Sequence, residues 1–292
     1  MIAVPFLLYA LVILGLWLAL YHLVPAASYA ATAAWRWVLG TIDRHPRLAR
    51  GRAAIARRTE PLHSYIPAIA IAAVGAVAAV AAGDLFLDLA EVLEQESAAV
   101  ERIDQWVWES ATLYHAAGTT AFFTFFTIVG TPVALGLAVA IIAIAFAKDG
   151  RWRWAAYLVL TTSIGGVLNW ILKAYFHRQR PDLAEAMRSA TGYSFPSGHA
   201  MGSTIVFGAL AYLAMRYFRS WRTRSAALSI AIASVLAICL SRVYLGVHWL
   251  TDIVAGVSAG LVWVLATTAS YETFRRARLA RRRDYDSRAV GR

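Results

Sequence analysis

Long runs free of Asp, Glu, Lys and Arg alternate along this chain with short segments in which charge is concentrated. Seven such runs reach at least 17 residues: 1–35, 61–83, 110–147, 154–172, 189–215, 225–241 and 253–271. Most of them supply the roughly 20 apolar residues that a helix needs to cross a hydrocarbon core of about 30 Å. In lipid the backbone polar groups must be satisfied within the spanning structure, which leaves helices and closed barrels. Barrel strands alternate every second residue, and the run Ala-Ile-Ala-Ile-Ala-Ala-Val-Gly-Ala-Val from Ala68 does not. The pattern predicts an all-α, polytopic membrane bundle of seven spans. Trp and Arg residues flanking the short runs of 17 and 19 residues suit them to interfacial anchoring.

Composition agrees, since 60% apolar and 15% charged residues in 292 are not those of a soluble protein. The single Cys239 lies inside an apolar run, which excludes a disulfide-stapled secreted domain. The first run has no basic leader and is too long for a cleaved signal peptide, so it is expected to stay as a membrane helix. Residues 26–60 mix Trp35, Trp37 and Val38 with arginines, as a surface-lying amphipathic segment does. Residues 84–110 form a polar stretch long enough to hold short helices. Three parts are therefore expected: an N-terminal span with its basic amphipathic segment (1–60), a membrane domain (61–272) and a basic tail (273–292).

The net charge of +11 orients the bundle. With the C-terminus inside, the inner segments hold 22 of the 28 basic residues, and the outer segments hold 11 of the 17 acidic ones. The positive-inside rule prefers this arrangement, with the N-terminus on the outer, periplasmic side of a bacterial-type inner membrane. The basic run from Arg275 to Arg283 then faces anionic lipid at the cytoplasmic surface, a better account than a nucleic-acid patch.

Three outer polar clusters stand out. Lys173, in a chain that uses Arg 26 times and Lys twice, ends the fourth span and is followed by Arg178, Arg180 and Pro181. Taken alone it also fits a snorkelling anchor. Before the fifth span comes Tyr-Ser-Phe-Pro-Ser-Gly-His, Tyr193 to His199. There Ser197 suits an N-cap, Gly198 allows close approach of a ligand, and the free N–H groups of a helix start attract anions. His199 by itself could equally be an interfacial histidine satisfied by water. The third cluster, Ser241 to Asp252, holds Arg242, a planar multi-donor fork suited to phosphate, and His248 four residues before Asp252. On a helix that spacing places both on one face, so that Asp252 can hold one imidazole nitrogen and leave the other as a nucleophile; the alternative is a buried structural pair. Charge sidedness puts all three clusters at one membrane face, where several cations, a helix start and an oriented imidazole suit phosphoryl transfer.

Lys173 with Arg180-Pro181, then Pro196-Ser197-Gly198-His199, then Ser241-Arg242 with His248 and Asp252, resemble the three-part signature of the type 2 phosphatidic acid phosphatase superfamily. Residues 122–132, with Gly130 before Thr131-Pro132, are also similar to it, whereas residues 1–60 fall outside its six-helix core and make an extra span. The resemblance implies that His248 attacks phosphorus to form a phosphohistidine, that Asp252 orients it, and that His199 protonates the leaving oxygen and then activates water. It implies that Lys173, Arg180, Ser197, the Gly198 N–H and Arg242 bind the phosphoryl oxygens. No metal and no cofactor are implied, and the sequence shows no ligand cluster at metal spacing.

A site at headgroup depth suits a lipid phosphate or diphosphate, such as phosphatidate, phosphatidylglycerophosphate or a polyprenyl (undecaprenyl) diphosphate. A lipid phosphotransferase would use the same residues. A vanadate haloperoxidase is disfavoured because those relatives are soluble, and a transporter or scaffold would not need His248 oriented by Asp252. Gly256 and Gly260 could mark a dimer face, although internal helix packing explains them better.

Overall fold

The computed structural model describes residues 3–44, 66–112, 116–181 and 191–290. These form the helices α1 (Ala3–Asp43), α2 (Ile66–Glu94), α3 (Ala98–Thr112), α4 (Ala117–Val129), α5 (Pro132–Lys148), α6 (Trp152–Phe176), α7 (Gly198–Tyr217), α8 (Trp221–Tyr244) and α9 (Leu250–Val290). No strand occurs among the described residues. Six helices are long and apolar enough to cross a membrane, and α4 with α5 make a seventh span when the pair is taken together. The protein is a multi-pass helical membrane protein. On α5 the exposed apolar stripe of Val133, Leu137, Ile141 and Ile144 repeats at helical spacing and faces outward, as lipid contact requires.

The apolar run 110–147 is not one straight span. It bends by 57° between α4 and α5. Pro132 can only open a new helix there, because it has no N–H, and Thr131 caps that helix by accepting from the Ala134 N–H at 3.2 Å. Gly130 makes the bend possible in this packing: a Cβ on it would stand 2.5 Å from Ile238 Cγ2 and 3.1 Å from His199 Cδ2. Run 189–215 differs too, its helix starting only at Gly198.

The polar stretch 84–110 is largely helical. It completes α2 and forms α3, whose Asp104, Val107, Trp108 and Ala111 share one face at positions i, i+3, i+4 and i+7. Val107 and Ala111 pack against Ala200, Cys239, Val243 and Ile253, while Asp104 and Trp108 are buried. In the centre, α7 packs against α6, α8 and α9. The α7–α9 approach depends on small residues: a Cβ on Gly256 would lie 2.7 Å from the Ser197 carbonyl oxygen, and one on Gly260 3.0 Å from that of Met201. Both glycines serve packing within the chain.

The helix α1 leans on α8 and α4, where Tyr9 meets Phe122 and Phe126 and shares a 3.2 Å hydrogen bond with Ser234. It runs unbroken through Pro25 to Asp43. Of the expected amphipathic segment 26–60, the stretch 45–60 lies outside the described residues. At the other terminus α9 passes residue 272 without interruption. Basic side chains gather at one end of the bundle, with Arg151 over the Tyr217 ring at 4.6 Å and Arg216 3.7 Å from Glu272. The end of α6, the starts of α7 and α9 and the end of α8 meet at the opposite end.

Candidate active site

The turn after α8 brings His248 to the start of α9. Gly246, at φ 71°, supplies a left-handed conformation that a side chain disfavours. Asp252 is the third residue of α9 and reaches back with Oδ2 to accept from the Trp249 N–H at 3.1 Å, a carboxylate capping its own helix start. The same oxygen accepts from His248 Nδ1 at 3.1 Å. The expected pair is present, but not on one helical face: His248 sits in the turn ahead of α9, and the contact runs across the helix start. Oδ1 accepts from Arg178 Nη1 at 2.7 Å and from Ser194 Oγ at 3.4 Å. His248 is 2% exposed and Asp252 fully buried.

With its Nδ1 proton given to Asp252, His248 presents a bare Nε2, which lies 3.0 Å from Arg180 Nη1. Arg180 otherwise donates to carbonyl oxygens, Val247 at 2.8 Å and Gly192 at 3.0 Å among them. Burial pushes the His248 imidazolium down to about pKa 4; Asp252 opposes the shift, and Arg180 and Arg242 add to it. Near neutral pH the ring is therefore uncharged and its lone pair available.

Across from this pair stands the start of α7. Ser197 occupies the N-cap position, as expected, yet its hydroxyl does not cap the helix. Its N–H donates to the Asp252 carbonyl at 2.9 Å, and its Oγ is buried with no hydrogen-bond partner among the described residues. A buried hydroxyl without a partner is costly in an apolar setting unless something else accepts from it. Gly198 follows; a Cβ there would lie 3.0 Å from Asn169 Oδ1 and 3.7 Å from Lys173 Cε, so glycine lets the helix start approach α6. Lys173 Nζ donates to the Tyr193 and Ser194 carbonyls at 2.6 and 3.3 Å.

His199 Nε2 donates to the Thr127 carbonyl at 3.2 Å, which leaves Nδ1 as its basic nitrogen. Arg242, 7% exposed, donates through Nη1 to the Thr127 hydroxyl. Electrostatic interactions tie His199 to Arg242, His248 and Arg180, and tie Lys173 to Arg180, Asp252 and Arg242. All eight expected site residues thus converge at one end of the bundle. Three cations, a helix start and a spare hydroxyl favour a tetrahedral oxyanion over a cation. Among the described residues no three His, Cys, Asp or Glu side chains are grouped as metal ligands would be.

Four further contributors were given no role by the sequence. Thr127 joins His199 to Arg242 from α4. Ser194 and Arg178 hold Asp252, and Asp104 holds Arg178 at 2.8 Å. Arg178 carried a signal, as one of the basic residues crowded between Lys173 and Pro181. Asp104 and Thr127 carried none, because their partners are far away in sequence.

Fold and site together make a helical membrane bundle with a cup of cations, a helix start and an oriented histidine at one end. Residues 154–276, the stretch that holds the expected site residues, match the PAP2 superfamily. Among its relatives are phosphatidylglycerophosphatase B of Bacillus subtilis (strain 168), 34% identical over 44% of this chain and 64% of that one, and the putative undecaprenyl-diphosphatase YbjG of Escherichia coli (strain K12), 33% identical over 37% and 52%. A lipid A 1-phosphatase of Rhizobium etli is 32% identical over 40% of this chain and 50% of its own. The chain thus spans about half to two thirds of the length of these relatives. The crystal structure of a transmembrane PAP2-type phosphatidylglycerolphosphate phosphatase from Bacillus subtilis superposes with a TM-score of 0.63 at 28% identity, over 67% of this chain and 96% of that one.

Proposed function

We propose that the protein is a membrane lipid phosphatase, hydrolysing a lipid phosphomonoester or diphosphate at the periplasmic face of a bacterial-type inner membrane. One observation carries this above the others: a neutral His248 has Nδ1 held by Asp252 and Nε2 turned to Arg180, near a buried Ser197 hydroxyl with no partner among the described residues. In the first step Nε2 attacks phosphorus, a P–N bond forms as the P–O bond to the lipid breaks, and His199, which takes a proton on Nδ1 once the phosphate anion is bound beside it, delivers that proton to the departing oxygen. In the second, water attacks the phosphohistidine, His199 takes its proton, and inorganic phosphate leaves. Asp252 stabilises the ring when it turns cationic. Lys173, Arg180, Arg242, Ser197 and the Gly198 N–H hold the phosphoryl oxygens, whose charge redistribution dominates such reactions.

The lipid substrate follows from address. The cup lies where helices leave the bundle, at the end opposite Arg151 and Arg216, so a lipid can present its phosphate with its tails still in the bilayer. The names of the relatives agree in naming phosphates of lipids. Within that class the proposed substrates are phosphatidylglycerophosphate, phosphatidate and undecaprenyl diphosphate, and anionic lipids meet the arginines of the cytoplasmic end. The test is free phosphate release by detergent-purified protein from a panel of these lipids, with His248→Ala as control. Release by the wild type alone supports hydrolysis; phosphate appearing only on an added lipid acceptor makes the protein a phosphotransferase. No turnover, or equal turnover in both proteins, rejects the proposal.

A further inference from the structure

We infer that Asp104, on the outer helix α3, is a positioning residue for the His248–Asp252 pair and acts through Arg178. The inference rests on the phosphatase reading above and adds a residue outside the matched stretch 154–276. Asp104 is 2% exposed, and both its oxygens are used: Oδ1 accepts from the Thr251 N–H at 3.0 Å, and Oδ2 from the Thr251 hydroxyl at 2.5 Å and Arg178 Nη2 at 2.8 Å. Arg178 turns its other nitrogen, Nη1, to Asp252 Oδ1 and to Thr251 Oγ1, each at 2.7 Å. One guanidinium therefore spans two buried carboxylates, a geometry its planar fork permits and an ammonium cannot copy.

The order of charges explains what this does. Asp252 can support a cationic His248 only with charge not already spent on Arg178. Asp104 neutralises Arg178 from its far side, giving an alternating series Asp104, Arg178, Asp252, His248. It also fixes Arg178 so that Asp252 keeps Oδ2 toward the imidazole. Among the described residues, the other charged or titratable groups that act on His248 are Arg180, Arg242 from α8 and His199 from α7, with Lys173 from α6 acting on Arg180, Arg242 and Asp252 beside it. Most are cationic, so a negative charge behind Arg178 matters more than it would in a balanced site.

The rival account is that Asp104 only staples α3 to the start of α9, as Trp108 does by donating from Nε1 to the Gly246 carbonyl at 3.0 Å. Asp104→Asn separates the two, because the amide keeps the shape and can still accept from Thr251 but carries no charge for Arg178. We expect kcat per folded protein to fall roughly tenfold, less than the loss of a proton-transfer group itself costs, with the acidic limb of the pH profile moved to lower pH. Trp108→Phe should lower the melting temperature and leave that limb in place. Arg178→Lys, which keeps the charge but not the fork, should lose kcat as Asp104→Asn does. The same shift is readable without turnover from the His248 titration in ¹⁵N-histidine-labelled protein, so failure of the phosphatase reading and failure of this one remain distinct. An unmoved His248 titration in Asp104→Asn, an equal shift in Trp108→Phe, or full activity in Arg178→Lys would overturn the role.

Discussion

His248 and Ser197 carry the clearest consequences among single residues. Because burial keeps His248 neutral down to about pH 4, kcat/KM, corrected for titration of the substrate phosphate, should not fall as pH drops through 6.5, the range of a free imidazole. It should fall near pH 4, where the ring takes up a proton and loses its nucleophilic lone pair. Asp252 opposes the downward shift, so Asp252→Asn should move that limb lower still and slow turnover throughout. Ser197 makes the complementary case. Its Oγ has no partner among the described residues, so Ser197→Ala should leave the melting temperature unchanged while kcat drops by on the order of a hundredfold, the cost of deleting one preorganised donor to a developing oxyanion.

Helices bring these residues together by close backbone contact. The starts of α7 and α9 meet because α9 has glycine at position 256, over the Ser197 carbonyl and the Ala200 side chain. Gly256→Ala should force them apart, destabilising the protein by about 1–3 kcal/mol. The denaturation midpoint measured beside activity checks this, and activity should fall further than stability accounts for, since Ser197 would move relative to His248. The bend at Gly130 has a similar purpose. It lets Thr127 at the end of α4 reach both His199 and Arg242, which a straight helix through 110–147 would not provide. Periodicity reveals that α3 is amphipathic, but not that its polar buried residue faces an arginine contributed by the segment after α6.

For the bundle as a unit, sidedness is the decisive property. If the basic end is cytoplasmic, a cysteine at exposed Glu101 should react with a membrane-impermeant maleimide on intact spheroplasts, and one at exposed Arg219 only after permeabilisation. The buried Cys239 should contribute little background. The reverse pattern would place the cup in the cytoplasm and remove the case for a periplasmic substrate. The α1 helix packs on α8 and α4 and contributes none of the eight expected site residues.

Membrane residence and helical class were determined by hydropathy alone, because lipid leaves the backbone few alternatives and charge-free length is read directly from the sequence. The three motifs were legible for a related reason: Lys173, Arg180, Ser197, His199, Arg242, His248 and Asp252 are polar where a membrane protein can least afford it, and Gly198 stands between two of them. Spacing did not reveal how they meet. That His248 precedes α9, that Ser197 keeps its hydroxyl spare, and that Asp104, Arg178 and Thr127 form the surrounding shell follow from packing between helices far apart in sequence. Hydrogen bonds of that kind leave no periodic trace, since each depends on a distance set by the glycines and bends of the assembled bundle.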